Sequence, residues 1–170
     1  MKLLKTFLFA GLLITTIAAT TMLRRTSAAA VAGPSVSGHG TILLQDTEGR
    51  TVRRQFSFSA RQLPDGSIKG SGILHNPSFD PKYSAQFDIS CLQVVGNRAS
   101  IGASIRKTTD AVFNDEFDAA FFTVFDNGND TDTISEVFFD NVVEPSTCQF
   151  IGADDFPQIP IEGGNVQVRE

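Results

Sequence analysis

Five oxygen-bearing side chains crowd one stretch of this chain: Asp126, Asn129, Asp130 and Asp132, with Asp140 a little further on. Carboxylate and amide oxygens at this density are what a Ca²⁺ ion collects, since it takes six to eight such ligands. The spacing departs from an EF-hand loop, because Asp126-x-Gly128-x-Asp130-x-Asp132 lacks the sixth-position glycine and the distal bidentate glutamate. The same residues also suit a hairpin tip, where Asp, Asn and Gly accept turn conformations and acids keep a sheet edge soluble. The sequence favours the solvated tip and keeps Ca²⁺ as the alternative.

Other chemistry finds less support. A Ser–His–Asp arrangement would need His39 or His75 as its base. His39 stands between glycines, His75 closes an apolar run, and no Gly-x-Ser-x-Gly elbow occurs. A carboxylate pair working as general acid and base needs two acids in one cleft with separated pKa values. Many acids are present and the sequence selects no pair, so no catalytic residue and no cofactor-binding residue is assigned. Zinc held by two histidines and two cysteines fails on spacing.

The two cysteines, Cys91 and Cys148, read by default as one disulfide in an exported chain, worth about 4 kcal/mol by loop closure. Export is indicated by residues 1–32. Met1 to Lys5 is basic, Phe7 to Ala19 is apolar apart from Thr15 and Thr16, and Ser27 to Ala32 is a tract of small residues. That order is the plan of a signal peptide, with cleavage after Ala30 or Ala32. The competing reading is an uncleaved anchor, since Thr6 to Leu23 is uncharged and Arg24-Arg25 follows it.

Without residues 1–32 the chain keeps ten basic against nineteen acidic residues. An acid excess of that size repels phosphate backbones, so nucleic acid is not an expected partner. Stable membrane insertion is not expected after cleavage either. The expected location is secreted or periplasmic.

The remaining residues, 33–170, read as one β-domain. Small polar residues from Gly33 to Gly40 suggest a loose start, with a first strand over Thr41 to Gln45. Val52, Arg54, Phe56, Phe58 and Ala60 alternate with Thr51, Arg53, Gln55, Ser57 and Ser59, the period of a half-buried strand with its phenylalanines inward. After the Leu63-Pro64-Asp65-Gly66 turn comes a strand with Gly70 and Gly72 on one face, a sign of a bulge, a barrel corner or a close backbone approach. Tyr83 to Cys91 and Ala99 to Ile105 alternate again, placing Cys91 on an apolar face. Asp110 to Phe117 suits either a short helical turn or a loop, and Thr147 to Ile151 a short strand. Phe121 to Phe139 reads as an antiparallel hairpin with the acidic tip described above.

About eight to ten strands without a long helix predict an all-β fold, a small antiparallel, calycin-like β-barrel in preference to a β-sandwich.

Several segments resemble a group of secreted bacterial all-β proteins of unknown function, similar to post-COAP-type extracellular domains. They are Phe56 to Arg61 followed by Asp65-Gly66, Cys91 to Gly102, Val124 to Gly128, Asp132 to Ser135, and Gly164 to Val168. The resemblance implies an exported all-β module with a Cys91–Cys148 pairing, and it brings no catalytic residues. The segment after Gly128 departs from it in being richer in Asp.

The function expected from these readings is a secreted, non-catalytic domain for binding, adhesion or envelope interaction. Its partner would be a small apolar ligand inside a Phe-lined barrel, or an extracellular protein or glycan. The alternative is a carboxylate-based hydrolase or isomerase at a barrel mouth, assisted by Ca²⁺.

Overall fold

A computed structural model describes residues 33–46, 48–79, 82–109, 117–141, 148 and 156–170. The expected leader over residues 1–32 lies outside them, as does most of the helical turn at 110–117 and of the strand at 147–151. Ten strands follow one another: β1 (Ser35–Gln45), β2 (Thr51–Gln62), β3 (Ile68–Asn76), β4 (Tyr83–Val95), β5 (Arg98–Thr108), β6 (Ala119–Phe125), β7 (Thr133–Ser135), β8 (Phe138–Asp140), β9 (Gln158–Pro160) and β10 (Gly163–Arg169). They form a single antiparallel sheet in the order β10-β1-β2-β3-β4-β5-β6-β7-β9, with β8 also paired to β6. The sheet curls on itself into a half-barrel. This is the barrel-like form of the all-β expectation, built from one sheet instead of two stacked ones.

The alternation in β2 sets the inside and outside of the whole structure. Val52, Arg54, Phe56, Phe58 and Ala60 are buried, and every residue between them is exposed. Phe58 meets Phe122 of β6 edge to face, with centroids 5.2 Å apart, so the concave side closes around stacked rings. Leu74, Ile101, Val124 and Ile134 complete the same core.

The first strand begins earlier than the sequence suggested. Ser35–Gly40 is no loose tail but the first half of β1, paired to β10 on one side and β2 on the other. Its small residues are a packing requirement. A Cβ on Gly38 would stand 2.6 Å from the Phe58 ring, and Gly40 faces Phe56 and Ile161 in the same way. On β3, Gly70 and Gly72 meet the Ala60 backbone and the Phe87 and Phe58 side chains. Of the readings open for those two glycines, close approach is the one realised. Strands that lack side chains where large rings cross them let the sheet bend tightly.

The Phe121 to Phe139 hairpin is present, with its returning arm split. Val124 and Phe125 pair with Ile134 and Thr133 of β7, while Ala119, Ala120 and Phe121 pair with Asp140, Phe139 and Phe138 of β8. Between the two, β7 turns aside to pair with β9. Cys91 of β4 is bonded to Cys148, both buried. At the β2–β3 turn the Asp65 carboxylate accepts the Ser67 hydroxyl at 2.6 Å and the Ser67 amide at 2.9 Å, and these two donors hold it below its ordinary pKa.

Gly38→Ala tests the packing of β1. We expect a loss of about 1–3 kcal/mol from overpacking against Phe58, read as a lower urea midpoint with an unchanged m-value.

Candidate functional site

Asp126 follows β6 and Asp132 precedes β7, so the hairpin brings their carboxylates to the same end of the half-barrel. They face β10, the first strand in sheet order. Asp132 Oδ2 accepts the Val166 amide at 2.7 Å, and Asp126 Oδ2 accepts the Val168 amide at 3.1 Å. Their other oxygens accept amides within the tip: Asp132 Oδ1 that of Asn127 at 2.8 Å, and Asp126 Oδ1 that of Gly128 at 3.1 Å. All four carboxylate oxygens therefore hold backbone N–H groups. The Asn97 side-chain amide fixes this end of β6 by donating to the Asp126 carbonyl at 3.0 Å.

The other members of the sequence-predicted set do not join this pair. Asn129 and Asp130 are exposed at the tip. Asp140 pairs with Ala119, at the opposite end of β6 from Asp126. Among the described residues no group of three or more His, Cys, Asp or Glu side chains is placed to hold a metal ion. What the acids of this loop do in the fold is close a seam. A free strand edge leaves amides needing acceptors, and two aspartates supply them where β6 and β10 do not pair backbone to backbone.

A second arrangement, which no motif marks, is built around Arg54. Its alternation with Phe56 and Phe58 turns it inward, and it is only 3% exposed. Nε donates to Asn76 Oδ1 at 2.7 Å, Nη2 lies 3.5 Å from the Tyr83 hydroxyl, and the guanidinium stands 5.4 Å over the Phe79 ring. Nη1 has no hydrogen-bond acceptor among the described residues; Glu136 Oε1, on a largely exposed side chain, is 4.0 Å away. The group ties β2 to β3 and β4 near the mouth of the half-barrel. Beside it, Phe79, Glu136 and the Asp46–Arg50 turn line a cleft of about 280 Å³. Desolvation pushes the Asp46 carboxyl up there, and donors from Arg50 and Glu48 together bring it below its ordinary value. One signal for Arg54 was available in the sequence: a charged residue on the apolar side of an alternating strand.

The third arrangement lies on the outside, along β1. Ser35, Ser37 and His39 point outward from β1, next to Arg169, Gln167 and Asn165 of β10 and next to Arg61, Ser59 and Ser57 of β2. Ser35 and Ser37 of β1 with Ser57 and Ser59 of β2 make a floor, bounded by Asn165, Gln167 and Arg169 on the β10 side and by Arg61 and His39 at its two ends. Two connected hollows result, of about 410 Å³ around His39, Ser57 and Asn165 and about 150 Å³ around Ser35, Arg61 and Arg169, sharing Ser37 and Gln167. His39 and Ser57 are direct cross-strand neighbours, yet they form no hydrogen bond with each other among the described residues. No carboxylate stands on either strand to orient the imidazole. His75 is exposed on β3 opposite Gln55. The trough offers hydrogen-bonding groups, and its His39–Ser57 pair, though in register, has no mutual hydrogen bond among the described residues and no carboxylate beside it on β1 or β2.

Comparison with known proteins returns no match: no family model, no curated protein and no solved structure is significantly similar to this chain. Among the described residues no helix is long and apolar enough to cross a membrane.

Two outcomes check the seam. Asp132→Ala should cost about 1–3 kcal/mol in urea unfolding, because the Val166 and Asn127 amides lose their acceptor. Ca²⁺ at millimolar concentration should leave the thermal midpoint where a chelator puts it. A rise with Ca²⁺ would make the tip a metal site, since an ion bound only to the folded state must raise the midpoint.

Proposed function

We propose that this chain is an exported, non-catalytic binding domain that engages a hydroxyl-rich extracellular partner, a glycan, along the outer trough of β1. One observation carries the reading. Across β10, β1 and β2 the trough is lined by serine, asparagine, glutamine, histidine and arginine side chains, and it is continuous over two hollows. The serine, asparagine, glutamine and histidine side chains both donate and accept, as a polyol requires, and they repeat about every 5 Å across the floor and about every 7 Å along it.

Export is supported by the basic start, apolar stretch and small-residue tract of residues 1–32, together with a disulfide of the kind that persists in oxidising compartments. The glycan reading is preferred to an apolar ligand inside the barrel because Phe56, Phe58, Phe122 and Ile101 pack into one core there. It is preferred to the carboxylate hydrolase because Asp126 and Asp132, the acids the hairpin brings together, each bind two backbone amides.

Co-sedimentation of the purified chain with insoluble extracellular polysaccharides tests the reading, with soluble sugar release measured on the same samples. Retention without release is expected. Asn165→Ala combined with Gln167→Ala should weaken retention about tenfold, the loss of two side-chain hydrogen bonds. Sugar release that grows with time would replace the binding domain by an enzyme.

A further inference from the structure

The trough is flanked at one end by two guanidinium groups. Arg169 on β10 and Arg61 on β2 are both direct cross-strand partners of Ser35, and Lys69 on β3 is the partner of Arg61. The three cations thus form one row on the outer face, the two arginines about 10 Å apart on either side of β1. All three are exposed, and none takes part in an ion pair among the described residues. Arg169 places one donor on Gln167 Oε1 at 3.1 Å, and its remaining donors stay available.

Their surroundings make this row unusual for the chain. The four adjacent strands β10, β1, β2 and β3 carry none of its 19 acidic residues. Elsewhere the exposed arginines Arg50 and Arg106 are paired with Asp46, Glu48 and Asp88. The nearest acids stand off these strands and accept hydrogen bonds of their own: Glu170 from the Gly96 amide, Asp126 from the Val168 and Gly128 amides, and Asp65 from Ser67. A predominantly acidic protein therefore presents one row of three exposed cations that no acid pairs with among the described residues.

We propose that the trough takes an acidic polysaccharide, a hydroxylated chain bearing carboxylate or sulfate groups, laid along β1 with one anionic group held between Arg61 and Arg169. This rests on the binding reading above and names its ligand class. Guanidinium forks suit planar oxyanions, and the Ser37 floor with its Asn165 and Gln167 walls receives the hydroxyls between charges. An anionic membrane surface fits less well, since it calls for apolar side chains to insert, and the most exposed large ones, Val95 and Phe138, lie off these strands. Single-stranded nucleic acid calls for aromatic stacking platforms, and the rings of β2 point inward.

The test is affinity electrophoresis of the full chain in gels containing alginate, dextran sulfate or neutral dextran, over a range of salt. Retardation is expected in alginate or dextran sulfate, falling as salt rises, and the better of the two identifies carboxylate or sulfate as the recognised group. Arg61→Gln with Arg169→Gln should weaken it about tenfold or more, while Arg53→Gln, on the same face at the far end of β2, should leave it unchanged. Thermal melting of each variant confirms that it is folded. Equal retardation by neutral dextran, or no loss in the double variant, overturns the anionic ligand and leaves the trough as a binding site. Tighter binding to phosphatidylglycerol vesicles or single-stranded DNA than to either acidic polysaccharide overturns it in favour of those partners. Retention by no polysaccharide at all overturns both this inference and the function on which it rests.

Discussion

A curled sheet that stops short of full closure must find acceptors for the amides along its free edge, and here two aspartates provide them. Asp132 and Asp126 reach across to Val166 and Val168 of β10, and Glu170 adds a third strap by accepting the Gly96 amide at 2.8 Å. Because an unsatisfied buried amide costs more than a made hydrogen bond returns, these carboxylates matter to the structure beyond their number. They hold β10 against the far side of the half-barrel. With β10 fixed, one wall of the outer trough is fixed as well.

The curvature that brings those groups within reach comes from the other side of the sheet. Rings on β2 cross glycines on β1 and β3, so side chains are large where strands can yield and absent where they cannot. Phe58 is the clearest instance: it packs on Gly38, Gly72 and Phe122, three positions on three other strands. The same alternation leaves the outer face of β1 with serines and a histidine beside the longer side chains of β10. Inner packing and outer trough are therefore two consequences of one alternation.

The acidic hairpin tip is the place where chemistry and architecture were hardest to separate in the sequence. Acid density suggested an ion, and geometry gives Asp126 and Asp132 to backbone amides while Asn129 and Asp130 face solvent. Arg54 presents the reverse case. It stood on the apolar side of a plainly alternating strand and carried no motif, so its burial beside Asn76, Tyr83 and Phe79 went unread. The early start of β1 was missed for a related reason: glycine and serine resemble a loose tail until the rings that need the space are in place.

What the sequence determined by itself was everything written in local alternation. A period of two set the strands and sorted inward from outward residues in β2 and in β4 as far as Ile89, because successive side chains of a strand must point to opposite sides. It failed at Cys91, where a bulge after Ile89 pairs the cysteine with Gly102 and turns it to the side of Phe121, and in β5, which is buried on both faces from Ala99 to Ala103. What only the tertiary structure decided were meetings between distant residues. Asp126 finds Val168, Arg61 and Arg169 come to flank Ser35, and β10 lies beside β1 instead of at a remote edge. Those depend on how far the sheet curls and on the register of its outermost strand, and both are set by packing across the whole half-barrel, which no local stretch of sequence encodes.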